Sequence, residues 1–304
     1  MANPLYGRNV VSIKDFKKSE LEYLFEQVDA NFDASNRNDL HHNILGLLFF
    51  EPSTRTRLSF ESAITSLGGN SISLAETNLS SIEKGENLTD TIKTLEQYVN
   101  AIVIRHSMEG SAKFAAEISN VPIINAGSGT EEHPTQAMLD LYTIKKEKDT
   151  LDNLEIGILG DLKYSRTVYS LIYALSHYSS KIHLISPPSL SIRNDLLVEL
   201  KDKISIREYD NVEEVLDELD ILYVTRIQKE RFPDMQEYQN VQGSYKVDSK
   251  LLEQSKDNLI LMHPFPRTGE IASELDSTDK AKYFNQIKYG KLLRAELLRL
   301  VLTE

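Results

Sequence analysis

The sequence predicts an α/β fold of two doubly wound parallel-sheet domains, and three features carry that prediction. Seven short apolar runs recur along the chain, each long enough for a strand and too short for a typical helix. Amphipathic stretches lie between them, the alternation that parallel sheets require. The length of 304 residues exceeds a typical single domain, and 40% hydrophobic residues suffice for one or two full cores.

The first run, residues 43–50 (NILGLLFF), passes through Glu51-Pro52-Ser53 into a helical pattern and reads as strand, turn, helix. Further strands are expected at 101–106 (AIVIRH), 121–127 (VPIINAG), 155–161 (EIGILGD), 181–187 (KIHLISP), 220–226 (DILYVTR) and 258–266 (NLILMHPFP). Helix-like stretches fall at 61–67, 110–119, 135–146, 166–176 and 212–219. The amphipathic run from Thr135 ends in charge, and Lys148-Asp149-Thr150 precedes a fresh series of strands, which places the domain boundary there. The expected division is a first domain over 1–134, an interdomain helix over 135–149, a second domain over 150–284 and a final helix over 285–304. That last helix offers Leu292, Leu293, Leu297, Leu298, Leu300 and Val301 for one broad apolar face. No Gly/Ser linker, repeat or low-complexity tract interrupts the chain, so the halves are expected to pack closely.

Composition narrows the chemistry. A formal net charge of −12 argues against binding nucleic acid or an acidic membrane surface, since phosphate-backbone affinity needs a cationic face. No stretch approaches the roughly 18 consecutive apolar residues of a membrane span, and MANPLYGRNV lacks the layout of a signal peptide, so a cytoplasmic location is expected. The absence of cysteine removes disulfides, thiolate nucleophiles and cysteine-bound zinc. Oxygen, nitrogen and charge must do the work; carboxylate or histidine metal sites stay open on composition, and the sequence as a whole leads to no expected metal or cofactor.

Basic residues gather beside helix starts. In Glu51-Pro52-Ser53-Thr54-Arg55-Thr56-Arg57, hydroxyls and guanidinium groups arrive where a buried strand turns into a helix. Ser53 is expected to cap that helix, its first N–H groups and dipole favour an anion, and Arg55 can grip phosphate oxygens bidentately. Taken alone, the segment reads equally well as an ordinary capped helix carrying surface arginines.

The surrounding sequence, FFEPSTRTRLSFESA, resembles the carbamoyl-phosphate motif of the aspartate and ornithine transcarbamoylases. His133-Pro134-Thr135-Gln136-Ala137 with Leu139-Asp140 is similar to the family's second signature, and Ser80, Lys84, Gly85, Glu86, Arg105 and His106 follow the family's order. The resemblance spans essentially the whole chain. It implies a cleft between the two domains, with the C-terminal helix packing back on the first. It also implies that Ser53, Thr54, Arg55, Thr56 and Arg105 hold phosphate, while Thr56, Arg105 and His133 polarise the carbamoyl oxygen. Gln136 and the backbone carbonyls of Pro264 and Phe265 would contact carbamoyl phosphate and orient the attacking amine, with Phe265–Pro266 the cis peptide of that loop. Ser80 and Lys84 would reach into a neighbouring subunit's site, making a homotrimer with shared active sites. Glu51, Arg166 and Arg231 match a latch that closes the two domains over substrates.

The second half must select the acceptor amine. Arg226 and Gln228, two apart after an expected strand, can face one carboxylate, and Arg166 opens a helix nearby in sequence pattern. Aspartate carries two carboxylates, and residues 225–232 (TRIQKERF) resemble the aspartate branch of the family, with Lys84 also on that substrate. Ornithine enzymes carry a His-Cys-Leu-Pro segment where this chain has Met262-His263-Pro264-Phe265-Pro266-Arg267. Two departures stand in that loop: Phe265 replaces the usual leucine, and Gly269 a common acidic residue. The implied reaction is carbamoyl transfer to aspartate, an early step of pyrimidine synthesis, with association with regulatory chains left open. An ornithine-type acceptor, a silent carbamoyl-phosphate-binding paralogue and a dinucleotide-binding enzyme are the competing readings; the last lacks G-x-G-x-x-G after EIGILGD.

Overall fold

The computed structural model describes residues 3–34, 37–74, 86–130, 132–229, 232 and 234–304. It divides into two compact units, Met1–Tyr142 with Lys288–Glu304, and Thr143–Ile287.

In the first unit, α1 (Lys18–Ala30) precedes β1 (Ile44–Phe49), α2 (Thr54–Ser66), β2 (Asn70–Leu74), α3 (Leu88–Leu95), β3 (Ala101–His106), α4 (Ser111–Ile118) and β4 (Ile123–Ser128). All strands pair in parallel in the order β2-β1-β3-β4. The order reverses between β1 and β3, so the loops leaving their C-terminal ends diverge and open a crevice there. β1 and β3 are in register as Phe49 opposite Arg105. Leu48, Ile102, Ile104 and Ile123 pack with Ile92, Ala112 and Ala115 into one of the cores of this unit.

α5 (Pro134–Lys148) leads to the second unit, which continues with β5 (Glu155–Leu159), α6 (Arg166–Leu175), β6 (Lys181–Ile185), α7 (Asn194–Leu200), β7 (Ser205–Tyr209), β8 (Ile221–Val224), α8 (Met235–Val241), α9 (Ser249–Leu252) and β9 (Ile260–Met262). Its sheet is also parallel, ordered β7-β6-β5-β8-β9, with the reversal between β5 and β8. Leu159, Leu222, Val224, Leu261 and Ile271 belong to the core on one face.

The final helix, α10 (Tyr283–Leu302), returns to the first unit from Lys288 onward. Leu293, Leu297, Leu298, Leu300 and Val301 are buried as expected, while Leu292 is only half-buried. The N-terminal segment fastens to the end of this helix: Asn3 Nδ2 donates to the carbonyls of Leu300 at 2.7 Å and Thr303 at 2.8 Å. The Gly7 N–H donates to Val301 at 2.9 Å.

Each of the seven apolar runs contains a strand. β2 and β7 were not anticipated, because both are edge strands whose residues are mostly exposed and give no apolar run. The helix expected at 212–219 is instead two 3-10 turns, Val212–Glu214 and Leu216–Glu218, broken where Val215 adopts φ −140° and ψ −4°. Among the described residues, no helix is long and apolar enough to cross a membrane.

Candidate active site

At the crevice of the first sheet, β1 hands over to α2 within a few residues. The Phe50 N–H continues the pairing by donating to Arg105 C=O at 2.9 Å, and the chain then turns through Glu51-Pro52-Ser53. Ser53 occupies the N-cap position, but its side chain makes no capping hydrogen bond, which corrects the capping role expected of it. The start of α2 thus lacks the side-chain cap that would compete with an incoming anion for its N–H groups. Thr54 and Arg55 are exposed, and Thr56 is buried under the first turn.

Arg105 lies near the end of β3, half-buried, with Nη1 donating to Ala126 C=O of β4 at 3.2 Å. Its Nε is 3.4 Å from the Glu51 carboxylate. Glu51, expected as a latch toward the second domain, here holds the arginine of its own sheet.

His133 is 4% exposed and stands immediately before α5, where its carbonyl accepts the N–H groups of Gln136 at 3.0 Å and Ala137 at 3.2 Å. The preceding residue is anchored independently: a Glu132 carboxylate oxygen accepts the Ile13 N–H at 2.8 Å, and burial pushes this carboxyl up. One turn into α5, Gln136 Nε2 donates to the buried Asp140 Oδ1 at 2.9 Å. A carboxylate can only accept, so the amide is turned with its oxygen available to receive an amine N–H.

Arg294 ties these helices together. It is 4% exposed on α10, donates through Nη1 to Ser59 of α2 at 3.0 Å, and has Nη2 3.5 Å from the Thr135 hydroxyl of α5. Its guanidinium lies over Phe60 at 5.2 Å. Burial lowers its pKa to about 10, and Asp140 is the charge that opposes this. An arginine in an amphipathic helix reads as surface, so sequence reasoning missed Arg294; Asp140 stood inside a recognised signature without a role.

At the crevice of the second sheet, Gly160 follows β5 with φ +131°, and a Cβ there would run into the Thr225 carbonyl oxygen and the Tyr245 hydroxyl. This close approach is what glycine permits. Asp161 is buried and accepts the N–H groups of Tyr164 at 3.0 Å and Gln228 at 3.3 Å. Burial pushes its carboxyl up, against the opposing pull of these donors and of Arg226. Arg166 is the first residue of α6 and is buried. Arg226 and Gln228 leave the end of β8 half-buried, and Gln228 Nε2 points to Tyr164 C=O at 3.4 Å. The Tyr245 hydroxyl donates to Thr225 C=O at 2.8 Å, fixing the backbone just before Arg226. Sequence reasoning missed Asp161 and Tyr245, whose partners lie far away in sequence.

The loop after β9 holds Pro264 and Phe265, and the Phe265–Pro266 peptide is cis. Phe265 has φ +60°, a left-handed conformation that costs a non-glycine residue about 1–2 kcal/mol. Arg267 braces the loop: it donates to Asp276 Oδ2 at 3.0 Å through Nη2 and stacks 4.6 Å over Tyr283. Gly269 has φ +122°, a conformation that glycine adopts without strain.

Ser53, Thr54, Arg55, Thr56 and Arg105 therefore lie at the reversal of the first sheet, with His133 and Gln136 after its edge strand β4; Arg166, Arg226 and Gln228 lie at the reversal of the second sheet, with Pro264 and Phe265 after its edge strand β9. Ser80, Lys84 and Arg231 lie outside the described residues. One set offers hydroxyls, guanidinium groups and a helix start suited to a phosphate group; the other offers cations and an amide suited to carboxylates.

Comparison with known proteins matches residues 8–146 to the aspartate/ornithine carbamoyltransferase carbamoyl-P binding domain and residues 152–301 to the Asp/Orn binding domain of the same family. Similar proteins include the aspartate carbamoyltransferase catalytic subunit of Nitrosopumilus maritimus, 54% identical over 99% of both chains. That of Thermofilum pendens is 51% identical over 99% of this chain and 96% of its own. Among solved structures, aspartate transcarbamoylase from Trypanosoma cruzi in complex with carbamoyl phosphate and aspartate superposes with a TM-score of 0.95. It is 35% identical, covering 99% of this chain and 98% of its own. The catalytic subunit of M. jannaschii aspartate transcarbamoylase gives a TM-score of 0.88 at 44% identity, covering 96% and 97%.

Proposed function

The chain belongs to the aspartate/ornithine carbamoyltransferase family, and from that premise we propose that it transfers the carbamoyl group of carbamoyl phosphate to the α-amine of L-aspartate. The observation that carries this reading is the pairing of a phosphate-suited helix start at one sheet reversal with Arg166, Arg226 and Gln228 at the other. An ornithine site needs an acidic partner for a second amine, whereas these residues suit carboxylates. The named relatives use aspartate.

In this mechanism Ser53, Thr54, Arg55 and the first N–H groups of α2 hold phosphate. Thr56, Arg105 and His133 donate to the carbamoyl oxygen as negative charge develops on it. Arg166, Arg226 and Gln228 hold the two carboxylates, while Gln136 Oε1 and the carbonyls of Pro264 and Phe265 receive N–H bonds from the amine and aim its lone pair. The neutral amine attacks the carbamoyl carbon, the C–O bond to phosphate breaks, and the departing phosphate takes the amine proton. N-carbamoyl-L-aspartate and inorganic phosphate result. Positioning and charge stabilisation supply the rate. The product is a pyrimidine precursor, and the reaction belongs in the cytoplasm.

The functional assembly is a homotrimer in which Ser80 and Lys84 complete a neighbour's site and Lys84 also meets aspartate. Glu51 releases Arg105 to engage Arg166 and Arg231 when both substrates are bound. The designation of the relatives as catalytic subunits supports a larger assembly with regulatory chains.

The purified protein, given carbamoyl phosphate with aspartate or with ornithine, is expected to release phosphate and form carbamoylated product with aspartate alone. Product with ornithine alone overturns the acceptor, and no product with either overturns the activity. For shared sites, Lys84→Ala and Arg55→Ala chains mixed after dissociation should recover activity in the hybrids; no recovery removes the shared-site proposal.

A further inference from the structure

The loop from His263 to Glu270 contains a closed hydrogen-bond circuit that no step above uses. His263 is 1% exposed. Its Nδ1 lies 2.8 Å from the Phe265 N–H, and a backbone N–H can only donate, so Nδ1 carries a lone pair. The ring proton therefore sits on Nε2, which donates to Glu270 Oε1 at 2.7 Å. Glu270 Oε2 accepts the Thr268 N–H at 2.8 Å and the Thr268 hydroxyl at 3.1 Å. Outside the loop, the His263 N–H donates to Gln286 Oε1 of α10 at 3.0 Å.

This circuit joins both ends of the loop through one imidazole and fastens the N–H of Phe265, the residue held at φ +60°. Burial lowers the pKa of His263 despite Glu270, which keeps the ring neutral and preserves the Nδ1 lone pair. The ring also packs edge-on to Phe265, with centroids 5.6 Å apart. Fixing the nitrogen and the ring of Phe265 together fixes the direction of the Pro264 and Phe265 carbonyls.

We propose that His263 and Glu270 are positioning residues for carbamoyl transfer: their paired hydrogen bonds hold the Pro264 and Phe265 carbonyls at the angle that receives the attacking amine. The proposal rests on the functional reading above, in which those carbonyls meet the amine. His263 and Glu270 touch neither substrate in that reading, so removing them alters the aim of the amine and leaves the phosphate-holding groups in place.

Two variants separate the two hydrogen bonds. His263→Asn keeps an oxygen near Nδ1 for the Phe265 N–H and loses the reach to Glu270, while Glu270→Gln keeps the bulk and loses one of the two accepting oxygens. The full chain is assayed with carbamoyl phosphate and aspartate, beside melting curves. The expected result is a kcat lowered about 10–100-fold with KM for carbamoyl phosphate within about twofold of wild type, the split expected when the nucleophile is misaimed. Thr268→Val, which deletes only the hydroxyl contact to Glu270, should lower kcat about threefold and still fold.

A wild-type kcat in folded Glu270→Gln and Thr268→Val overturns the positioning role while leaving the functional reading intact. Equal losses in kcat and in carbamoyl-phosphate binding also overturn it, because they report general damage. A wild-type protein that makes no carbamoyl aspartate removes both the reading and the proposal.

Discussion

In the first sheet most of the groups proposed to hold phosphate come from contiguous chain: β1 runs through Glu51 into Ser53, Thr54, Arg55 and Thr56, with Arg105 added from β3. In the second sheet Gln228 takes its position from Asp161, 67 residues earlier, and the backbone before Arg226 is pinned by Tyr245. Phosphate binding uses backbone N–H groups that every helix start supplies. Carboxylate selection uses side chains whose direction must be imposed from elsewhere. One region is therefore written as a motif, and the other as a network.

The comparison has an exception, and breaking it should give the largest effect. Arg294 makes the first region partly long-range, since it links α2 and α5 from the far end of the chain. Arg294→Met removes the cation that faces the buried Asp140 and is expected to destabilise the first unit by about 3–5 kcal/mol, measured by urea unfolding. A loss below about 1 kcal/mol would show that the first region does not depend on Arg294.

Arg55→Ala tests the local side alone. Arg55 is exposed, so stability should stay within about 0.5 kcal/mol of wild type while kcat/KM for carbamoyl phosphate falls about 10²–10³-fold. An unaltered kcat/KM would remove Arg55 from the phosphate site.

Asp161→Ala tests the network. It leaves the Tyr164 and Gln228 N–H groups without their acceptor, at a cost of about 1–3 kcal/mol, and should raise KM for aspartate with carbamoyl-phosphate binding retained. Equal weakening of both substrates would show that the two regions are not separable in this way.

The smallest effect concerns the brace on the Pro264–Phe265 loop. Arg267, then Tyr283, holds the Asp276 carboxyl below the usual carboxylate range of 3.8. A lowered folded-state pKa favours the ionised form, so its contribution is present above 3.8 and is lost as pH falls through the folded-state value. The melting difference between wild type and Asp276→Asn should therefore be constant near neutrality and shrink below about pH 3.8, read by thermal scans across pH 2.5–6.

By itself the sequence determined the elements and the local chemistry. Apolar runs located every strand whose residues are mostly buried, and the Ser53–Thr56 segment suggested an anion site, because burial and helix starts leave patterns within a few residues; the role expected of His133–Gln136 came from the family resemblance. Strands β2 and β7 escaped because most of their residues are exposed and leave no apolar run. Only the tertiary structure decided that the Ser53 hydroxyl leaves the helix start uncapped, that Glu51 rests on Arg105, and that Gln136 turns its oxygen outward from Asp140. It also decided the hydrogen-bond partners of Arg294, Asp161, Tyr245, His263 and Glu270. A hydrogen bond needs its partner within about 3 Å in space and sets no condition on distance along the chain, so these assignments are invisible to local pattern.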